Sequence, residues 1–83
     1  MNVTVRYFAA LREALGAQET VQLAGAPSLG TLRDRLIASS PRHAEALRRS
    51  RALRCAVNQV LADESTLLED GAEVAFFPPV TGG

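Results

Sequence analysis

The sequence predicts an α+β domain in which a mixed sheet of four or five strands packs on one main helix. Alternating apolar residues mark two strands around a short helix near the start, and three shorter strand patterns lie near the end. Between them, residues 29–37 form one long amphipathic helix pattern that offers the sheet an apolar face. A length of 83 residues allows one domain with one modest core.

The chain begins as a strand, because Val3, Val5 and Tyr7 form one face of an alternating pattern. Residues 9–15 have helical spacing, and Gly16 stands where a left-handed helix cap would be. Residues 19–23 alternate again and stop at a Gly-Ala-Pro sequence. Since few residues separate the two strands, we expect an antiparallel or adjacent pairing.

The main helix is expected to begin after Ser28, whose hydroxyl is a good N-cap. Its charged residues 33–35 are expected to point away from the sheet. The helix ends before Pro41, because the residue before a proline avoids helical angles. Pro41 also suits the first position of a second short helix that runs to about residue 49. The apolar stripe of the main helix consists of Leu29, Leu32, Leu36 and Ile37.

The remaining strands complete the order of elements. Residues 54–57 and 60–62 flank the sequence Asn58-Gln59, which predicts a tight turn. Leu67 and Leu68 are expected to anchor the connector that follows, and residues 73–77 form the most apolar strand. This order fits a β-grasp, the fold of ubiquitin. We therefore predict a β-grasp domain over residues 1–77 and a flexible C-terminal tail over residues 78–83.

Charge and composition exclude several classes of function. Nine basic and nine acidic side chains give a net charge of zero, which argues against binding nucleic acid or an anionic membrane. All nine basic residues are arginine, so the chain has no lysine for Schiff-base chemistry, phosphate binding or isopeptide linkage. The arginines between residues 42 and 54 are interpreted as a solvated face rather than a binding patch. One cysteine and no signal-peptide pattern predict a cytoplasmic protein.

The side chains do not assemble into a catalytic or metal-binding set. His43 is the only histidine, which rules out a histidine metal cluster, and we expect it to be exposed on the second helix. Cys55 lies in a strand pattern and is interpreted as a small buried hydrophobe. We therefore expect no metal and no bound cofactor, and any chemistry must use groups of another protein.

The tail is the feature with functional content. Pro78 and Pro79 favour an extended path away from the sheet, and six residues at about 3.3 Å each reach roughly 20 Å. Gly82 and Gly83 lack side chains, so they can thread a narrow channel. A terminal carboxylate, with a pKa of about 3.3–3.7, is ionised and a poor electrophile. It must be activated to react, and ATP-dependent adenylation by a separate enzyme is the usual route.

The last eleven residues, EVAFFPPVTGG, resemble the C-terminal signature of the small, sulfur-carrying subunit of molybdopterin synthase. Residues 56–59, residues 70–71 and several residues between 7 and 16 match the same family with the same spacing. The similarity extends over nearly the whole chain. Ala72 replaces an acidic residue that is often found between the glycine and the glutamate, and we expect this turn position to be exposed.

The resemblance implies a complete mechanism. Gly83 would be adenylated by an ATP-using enzyme, converted to a thiocarboxylate, and would donate sulfur to precursor Z (cyclic pyranopterin monophosphate) to form molybdopterin. Two small and two large catalytic subunits would form a heterotetramer, in which the small subunit supplies no catalytic side chains. The segment inserted into the large subunit would be Pro78, Pro79, Val80, Thr81 and Gly82.

The sheet offers a surface for these partners. If the face with Tyr7 packs on the helix, alternation turns Phe8 and Phe77 outward, and exposed apolar patches commonly mark partner surfaces. The resemblance assigns Phe8, Leu61 and Phe77 to the surface that both partners use. The alternative, that Phe8 and Phe77 belong to the core, stays open because the register of short strands is ambiguous.

Three other functions remain open on the residues alone. The first is a sulfur carrier for thiamin or thio-nucleoside synthesis, against which the FFPPVT sequence argues. The second is a ubiquitin-like modifier joined to lysines of target proteins. The third is an interaction module with an inert tail, since terminal residues of many domains carry no function.

Overall fold

The computed structural model describes residues 1–79, which form five strands and three helices. In chain order the elements are β1 (Asn2–Tyr7), α1 (Ala10–Leu15), β2 (Gln18–Gln22), α2 (Leu29–Ser39), α3 (Pro41–Leu47), β3 (Arg54–Val57), β4 (Val60–Ala62) and β5 (Glu73–Phe77).

The strands form one mixed sheet in the order β2-β1-β5-β3-β4. Strands β1 and β5 are parallel, and the other neighbouring pairs are antiparallel. The two ends of the domain therefore lie side by side in the sheet, with β5 in its centre. This topology confirms the predicted α+β, β-grasp fold with its antiparallel opening pair.

One face of the sheet packs on α2. Val5, Tyr7, Val74 and Phe76 are at most 1% exposed, and the Tyr7 and Phe76 rings stack with centroids 6.5 Å apart. Three residues of the predicted apolar stripe of α2 are buried against this face: Leu29, Leu32 and Leu36. The fourth, Ile37, is half-buried. The Ser28 Oγ accepts a hydrogen bond from the Thr31 N–H at 3.2 Å, as the predicted N-cap should.

The turn between β3 and β4 fixes the position of the hairpin. Asn58 and Gln59 have φ angles of 49° and 70°, the left-handed values that a tight two-residue hairpin turn requires. The Asn58 N–H donates to the Glu73 carbonyl at 2.8 Å, and the Glu73 N–H donates to Asn58 Oδ1 at 3.0 Å. These bonds hold the hairpin against the start of β5.

The prediction that Arg33 points to solvent is wrong, because its side chain is only 4% exposed. Its Nε donates to the Leu47 carbonyl at 2.8 Å, and Nη2 donates to the Arg48 carbonyl at 2.7 Å. Its Nη1 donates to Glu64 Oε2 at 3.0 Å. Carbonyls at a helix C-terminus have no partner within the helix, so Arg33 satisfies the end of α3 from a neighbouring helix.

The expectation that both leucines of the connector are anchors is half right. Leu68 is 2% exposed, whereas Leu67 is 67% exposed. Leu67 bridges Ser28 in an isolated antiparallel contact. Neighbouring residues of an extended segment point to opposite sides, so only Leu68 enters the core.

The expectation that Ala72 occupies an exposed position is wrong. Ala72 is 4% exposed and belongs to the core cluster, because it directly precedes β5.

Among the described residues, no helix has both the length and the apolar character that crossing a membrane requires.

Candidate functional site

The face of the sheet opposite α2 carries the predicted partner-binding residues. Leu61, Ala56, Ala75 and Arg6 form one row across β4, β3, β5 and β1. Buried core residues precede and follow each row member in β5 and β1, so alternation places the row on the outer face.

Phe8 and Phe77 lie next to this row. Tyr7 and Phe76 are register partners in the parallel pair, so the residues that follow them are neighbours on the outer face. Phe8 is 38% exposed, Leu61 is 65% exposed and Phe77 is half-buried. Phe8, Leu61, Ala75 and Phe77 are called the outer patch below. That these residues contact a partner stays a prediction.

Two arginines accompany the outer patch. The Arg6 guanidinium lies over the Phe8 ring, 5.4 Å from its centroid, and Arg6 Nη1 is 3.5 Å from Glu73 Oε1. This arrangement holds Phe8 by a cation–π contact. Arg54 is the register partner of Phe77 and is exposed.

The predicted tail begins beside the outer patch. Strand β5 ends at Phe77, and Pro78 and Pro79 belong to no strand or helix. Pro78 is half-buried and Pro79 is exposed. The chain therefore leaves the sheet from its central strand, next to Phe8. The other predicted site residues, Val80, Thr81, Gly82 and Gly83, lie outside the described residues.

A polar cluster that the sequence analysis missed joins α3 to the sheet. Ser40 Oγ lies 2.7 Å from His43 Nδ1, and His43 Nε2 lies 2.7 Å from Glu19 Oε2. The Tyr7 hydroxyl donates to the same Glu19 oxygen at 2.8 Å. The prediction of an exposed His43 is therefore wrong: its side chain is 17% exposed. Burial, and then the hydrogen bond to Glu19, raise the pKa of Tyr7 strongly, so its hydroxyl remains a donor.

The cluster has the atom order of a serine hydrolase triad, but its geometry serves the fold. Ser40 Oγ also accepts the His43 N–H at 3.1 Å, because Ser40 is the N-cap of α3. The next residue, Pro41, has no N–H that could stabilise an oxyanion. We interpret the cluster as a clasp between α3, β2 and the buried Tyr7.

Cys55 is buried, as predicted, with an exposed fraction of 6%. Burial is the main cause that raises the pKa of its thiol, so it stays protonated and unreactive at neutral pH. An open groove along β3 and β4 is lined by Cys55 together with Val57, Val60 and Ala62. Within residues 1–79, no three His, Cys, Asp or Glu side chains come together as a metal site.

Comparison with known proteins identifies the class of this domain. The ThiS family model matches residues 5–83, so the chain belongs to the ThiS family. Among the similar proteins, the molybdopterin synthase sulfur carrier subunit of Escherichia coli (strain K12) is 46% identical over 98% of this chain and 99% of that protein. The protein of the same name from Mycobacterium tuberculosis (strain ATCC 25618 / H37Rv) is 41% identical over 100% of this chain and 99% of its own length. These relatives confirm the resemblance found in the sequence.

Solved structures agree with this assignment. SAMP1 from Haloferax volcanii superposes with a TM-score of 0.79 at 27% identity, and each chain is covered completely. A protein–protein complex of subunits 1 and 2 of molybdopterin-converting factor from Helicobacter pylori 26695 contains a chain with a TM-score of 0.69 and 29% identity, again over 100% of both chains.

Proposed function

We propose that this chain is the sulfur carrier subunit of a molybdopterin synthase and that the Gly83 carboxylate is its working group. The observation that carries the proposal is the 46% identity to a sulfur carrier subunit over 98% of the chain. The fold is consistent with this role, because the central strand β5 leads directly into Pro78, at the edge of the outer patch.

The proposed chemistry takes place at the terminal carbonyl. A Gly83 carboxylate oxygen attacks the α-phosphate of ATP on a separate adenylating enzyme, which releases pyrophosphate and gives an acyl adenylate. A donor of sulfur at the hydrosulfide oxidation level then attacks the carbonyl carbon and expels AMP, so the product is a thiocarboxylate and no oxidant or reductant is needed. In the synthase, the sulfur bonds to precursor Z to form molybdopterin, and water cleaves the carbonyl carbon–sulfur bond, which returns Gly83 as a carboxylate. ATP is bound by the activating enzyme and not by this chain, which supplies no catalytic side chain and acts in the cytoplasm.

The large catalytic subunit is the proposed partner of the outer patch. The structure from Helicobacter pylori is a complex of two subunits of molybdopterin-converting factor, which supports a partner of this kind. Since the tail starts beside Phe8, one partner can cover the outer patch and receive residues 78–83 together. We propose the heterotetramer of two small and two large subunits as the working assembly.

Intact-mass spectrometry tests the chemical part of the proposal. The chain is incubated with its adenylating enzyme, ATP and a sulfur source. The terminal peptide is then analysed by tandem mass spectrometry. One sulfur-for-oxygen exchange confined to that peptide is expected. A variant lengthened by one alanine after Gly83 is the control, because it moves the reactive carboxylate by one residue. Full sulfur delivery by the lengthened variant would contradict the proposal.

A matched pair of leucines tests the outer patch. Leu61 and Leu67 are 65% and 67% exposed, but only Leu61 belongs to the outer patch. Leu61→Ala should weaken binding to the large subunit by about 1 kcal/mol or more, measured by calorimetry, while Leu67→Ala should not. Equal effects of the two substitutions would exclude the outer patch as the docking surface.

Protein modification is a second candidate, favoured by the TM-score of 0.79 to SAMP1. A second Haloferax volcanii structure carries the name small archaeal modifier protein 1. Such a function would join Gly83 to lysines of other proteins. This chain has no lysine, so it cannot form isopeptide-linked chains of itself through its side chains. Adducts with other cellular proteins that disappear when Gly82 and Gly83 are deleted would support this function.

A further inference from the structure

Arg54 is the first residue of β3 and lies opposite Phe77 in the antiparallel pair. The next residue, Cys55, is buried in the core. Alternation along the strand therefore places Arg54 on the outer face, beside the half-buried Phe77 and the start of the tail. Any partner that covers Phe77 also comes close to the guanidinium of Arg54.

Arg54 differs in pairing from three arginines in its part of the sequence, and in position from Arg42, which lies on α3 and not on the sheet. Arg48 and Arg51 contact Glu45 at 3.0 and 3.4 Å, and Arg49 contacts Asp34 at 2.8 Å. These pairs agree with the predicted solvated face. Within residues 1–79, Arg54 has no carboxylate within 4.0 Å and no hydrogen-bond partner for its guanidinium.

Nearby carboxylates on the same chain do not form an ion pair with Arg54. Asp63 follows Ala62, the register partner of Cys55, and lines the same groove as Arg54, but within residues 1–79 the two side chains do not come within 4.0 Å of each other. Asp63 Oδ1 accepts a hydrogen bond from the Ser65 N–H instead. Glu73 is 3.5 Å from Arg6. Glu64, in the connector after β4, is held by Arg33 and Arg49 instead. The positive charge beside Phe77 is therefore unpaired on the described chain.

Covering an unpaired guanidinium is costly, because the charge loses its water. A carboxylate on the covering surface removes this cost by forming a bidentate, charge-assisted pair with the fork of the arginine. A nucleotide phosphate is a poorer match. The reacting end of the tail lies six residues beyond Phe77, which is about 20 Å away when the tail is extended.

We propose that Arg54 is a specificity-determining residue of the outer patch, which pairs with an aspartate or glutamate of the large synthase subunit. The partner surface then has an apolar centre over Phe8, Leu61 and Phe77, with a carboxylate at its margin opposite Arg54. This inference rests on the proposed function, since it concerns the same docking event. It adds the charge that the partner must carry and the residue that recognises it.

The test measures binding of the full chain to the large subunit of its own synthase. Arg54→Glu places a negative charge opposite the partner carboxylate, and it should raise the Kd about tenfold or more. Arg54→Leu, which only removes the pair, should have a smaller effect. Arg35→Glu is the matched control: it makes the same charge change on the exposed side of α2, and its Kd should stay within about twofold of the wild type.

Two further measurements identify the cause. The association rate of the wild type should fall with added salt more steeply than that of Arg54→Leu, because steering between opposite charges is screened. Replacing the partner's marginal carboxylate with arginine should restore binding to Arg54→Glu. Far-UV circular dichroism checks that each variant is folded.

The outcomes separate this inference from the proposed function. If Arg54→Glu binds as tightly as the wild type while Leu61→Ala binds more weakly, the role of Arg54 is overturned and the docking surface stands. If the wild type does not bind the large subunit and gains no sulfur, the proposed function fails and this inference fails with it. An equal loss for Arg35→Glu and Arg54→Glu would show a non-specific charge effect and would also overturn the role of Arg54.

Discussion

Replacing Arg33 with methionine should destabilise the domain more than the same replacement of any other arginine. Methionine keeps the length and apolar stem of the side chain but removes the guanidinium. The change leaves the carbonyls of Leu47, Arg48 and Arg51, and the Glu64 carboxylate, without the hydrogen bonds of 2.7–3.1 Å that Arg33 now donates. The perturbation therefore acts on three parts of the chain that α2 holds together.

The magnitude follows from burial. Breaking a buried pair by removing one partner costs about 3–5 kcal/mol, and Arg33 is only 4% exposed, although Glu64 is 36% exposed. We therefore expect a loss of about 3 kcal/mol, at the lower end of that range, because water can reach Glu64 once the partner is gone. A domain of 83 residues has a free energy of unfolding of about 4–12 kcal/mol. Arg33→Met should thus remove a large fraction of the total stability.

Urea unfolding followed by far-UV circular dichroism measures this loss, since the chain has no tryptophan for fluorescence. Arg35→Met is the matched control, because Arg35 lies on the same helix and is exposed. It should change the free energy of unfolding by no more than about 0.5 kcal/mol. Equal, small effects of the two substitutions would refute the role of Arg33 as the cap of α3.

Four further predictions concern titratable groups. The Arg49 hydrogen bond is the main cause that lowers the pKa of Glu64. The ionised Glu64 carboxylate therefore stabilises the fold fully above the ordinary carboxyl pKa of about 4.3, and this contribution is lost as the pH falls below that value. In Glu64→Gln, the free energy of unfolding should depend less on pH in the acid range, as measured by circular dichroism, and an unchanged dependence would contradict this. Tyr7 is the only tyrosine, and burial raises its pKa. Phenolate absorbance should therefore appear at alkaline pH only as the protein unfolds. A normal titration of the folded protein near pH 10 would contradict this prediction. Tyr7→Phe should cost about 1.5–3 kcal/mol of stability in urea, because the hydrogen bond to the Glu19 carboxylate is lost, and no loss would remove Tyr7 from the clasp. The Cys55 thiol should react with a disulfide reagent at a rate set by opening of the core, so a rate as fast as that of an exposed thiol would exclude burial.

The sequence predicts the elements of the fold well, because their signals are local. Alternation identifies β1, the apolar run EVAFF identifies β5, and Ser28 identifies the start of α2. The same alternation predicts that Phe8 lies opposite the core, which its 38% exposure confirms. Each of these features depends on residues only a few positions apart in the chain.

Features that depend on distant partners could not be predicted from one sequence. Helical periodicity assigns Arg33 to the solvent, but its acceptors lie between 14 and 31 residues further along the chain. His43 finds Glu19 on another element, 24 residues away. The sequence shows only that such an arginine or histidine is polar. Whether it is buried with a hydrogen-bond partner depends on how the helices pack.

The central position of β5 has a consequence for the assembly of the sheet. Strands β2 and β1 share no ladder with β3 and β4 until residues 73–77 are inserted between them. The two halves of the sheet can therefore join only through this strand. A chain cut before residue 73 would leave the facing edges of β1 and β3 without hydrogen-bond partners, and unpaired strand edges promote association with other chains.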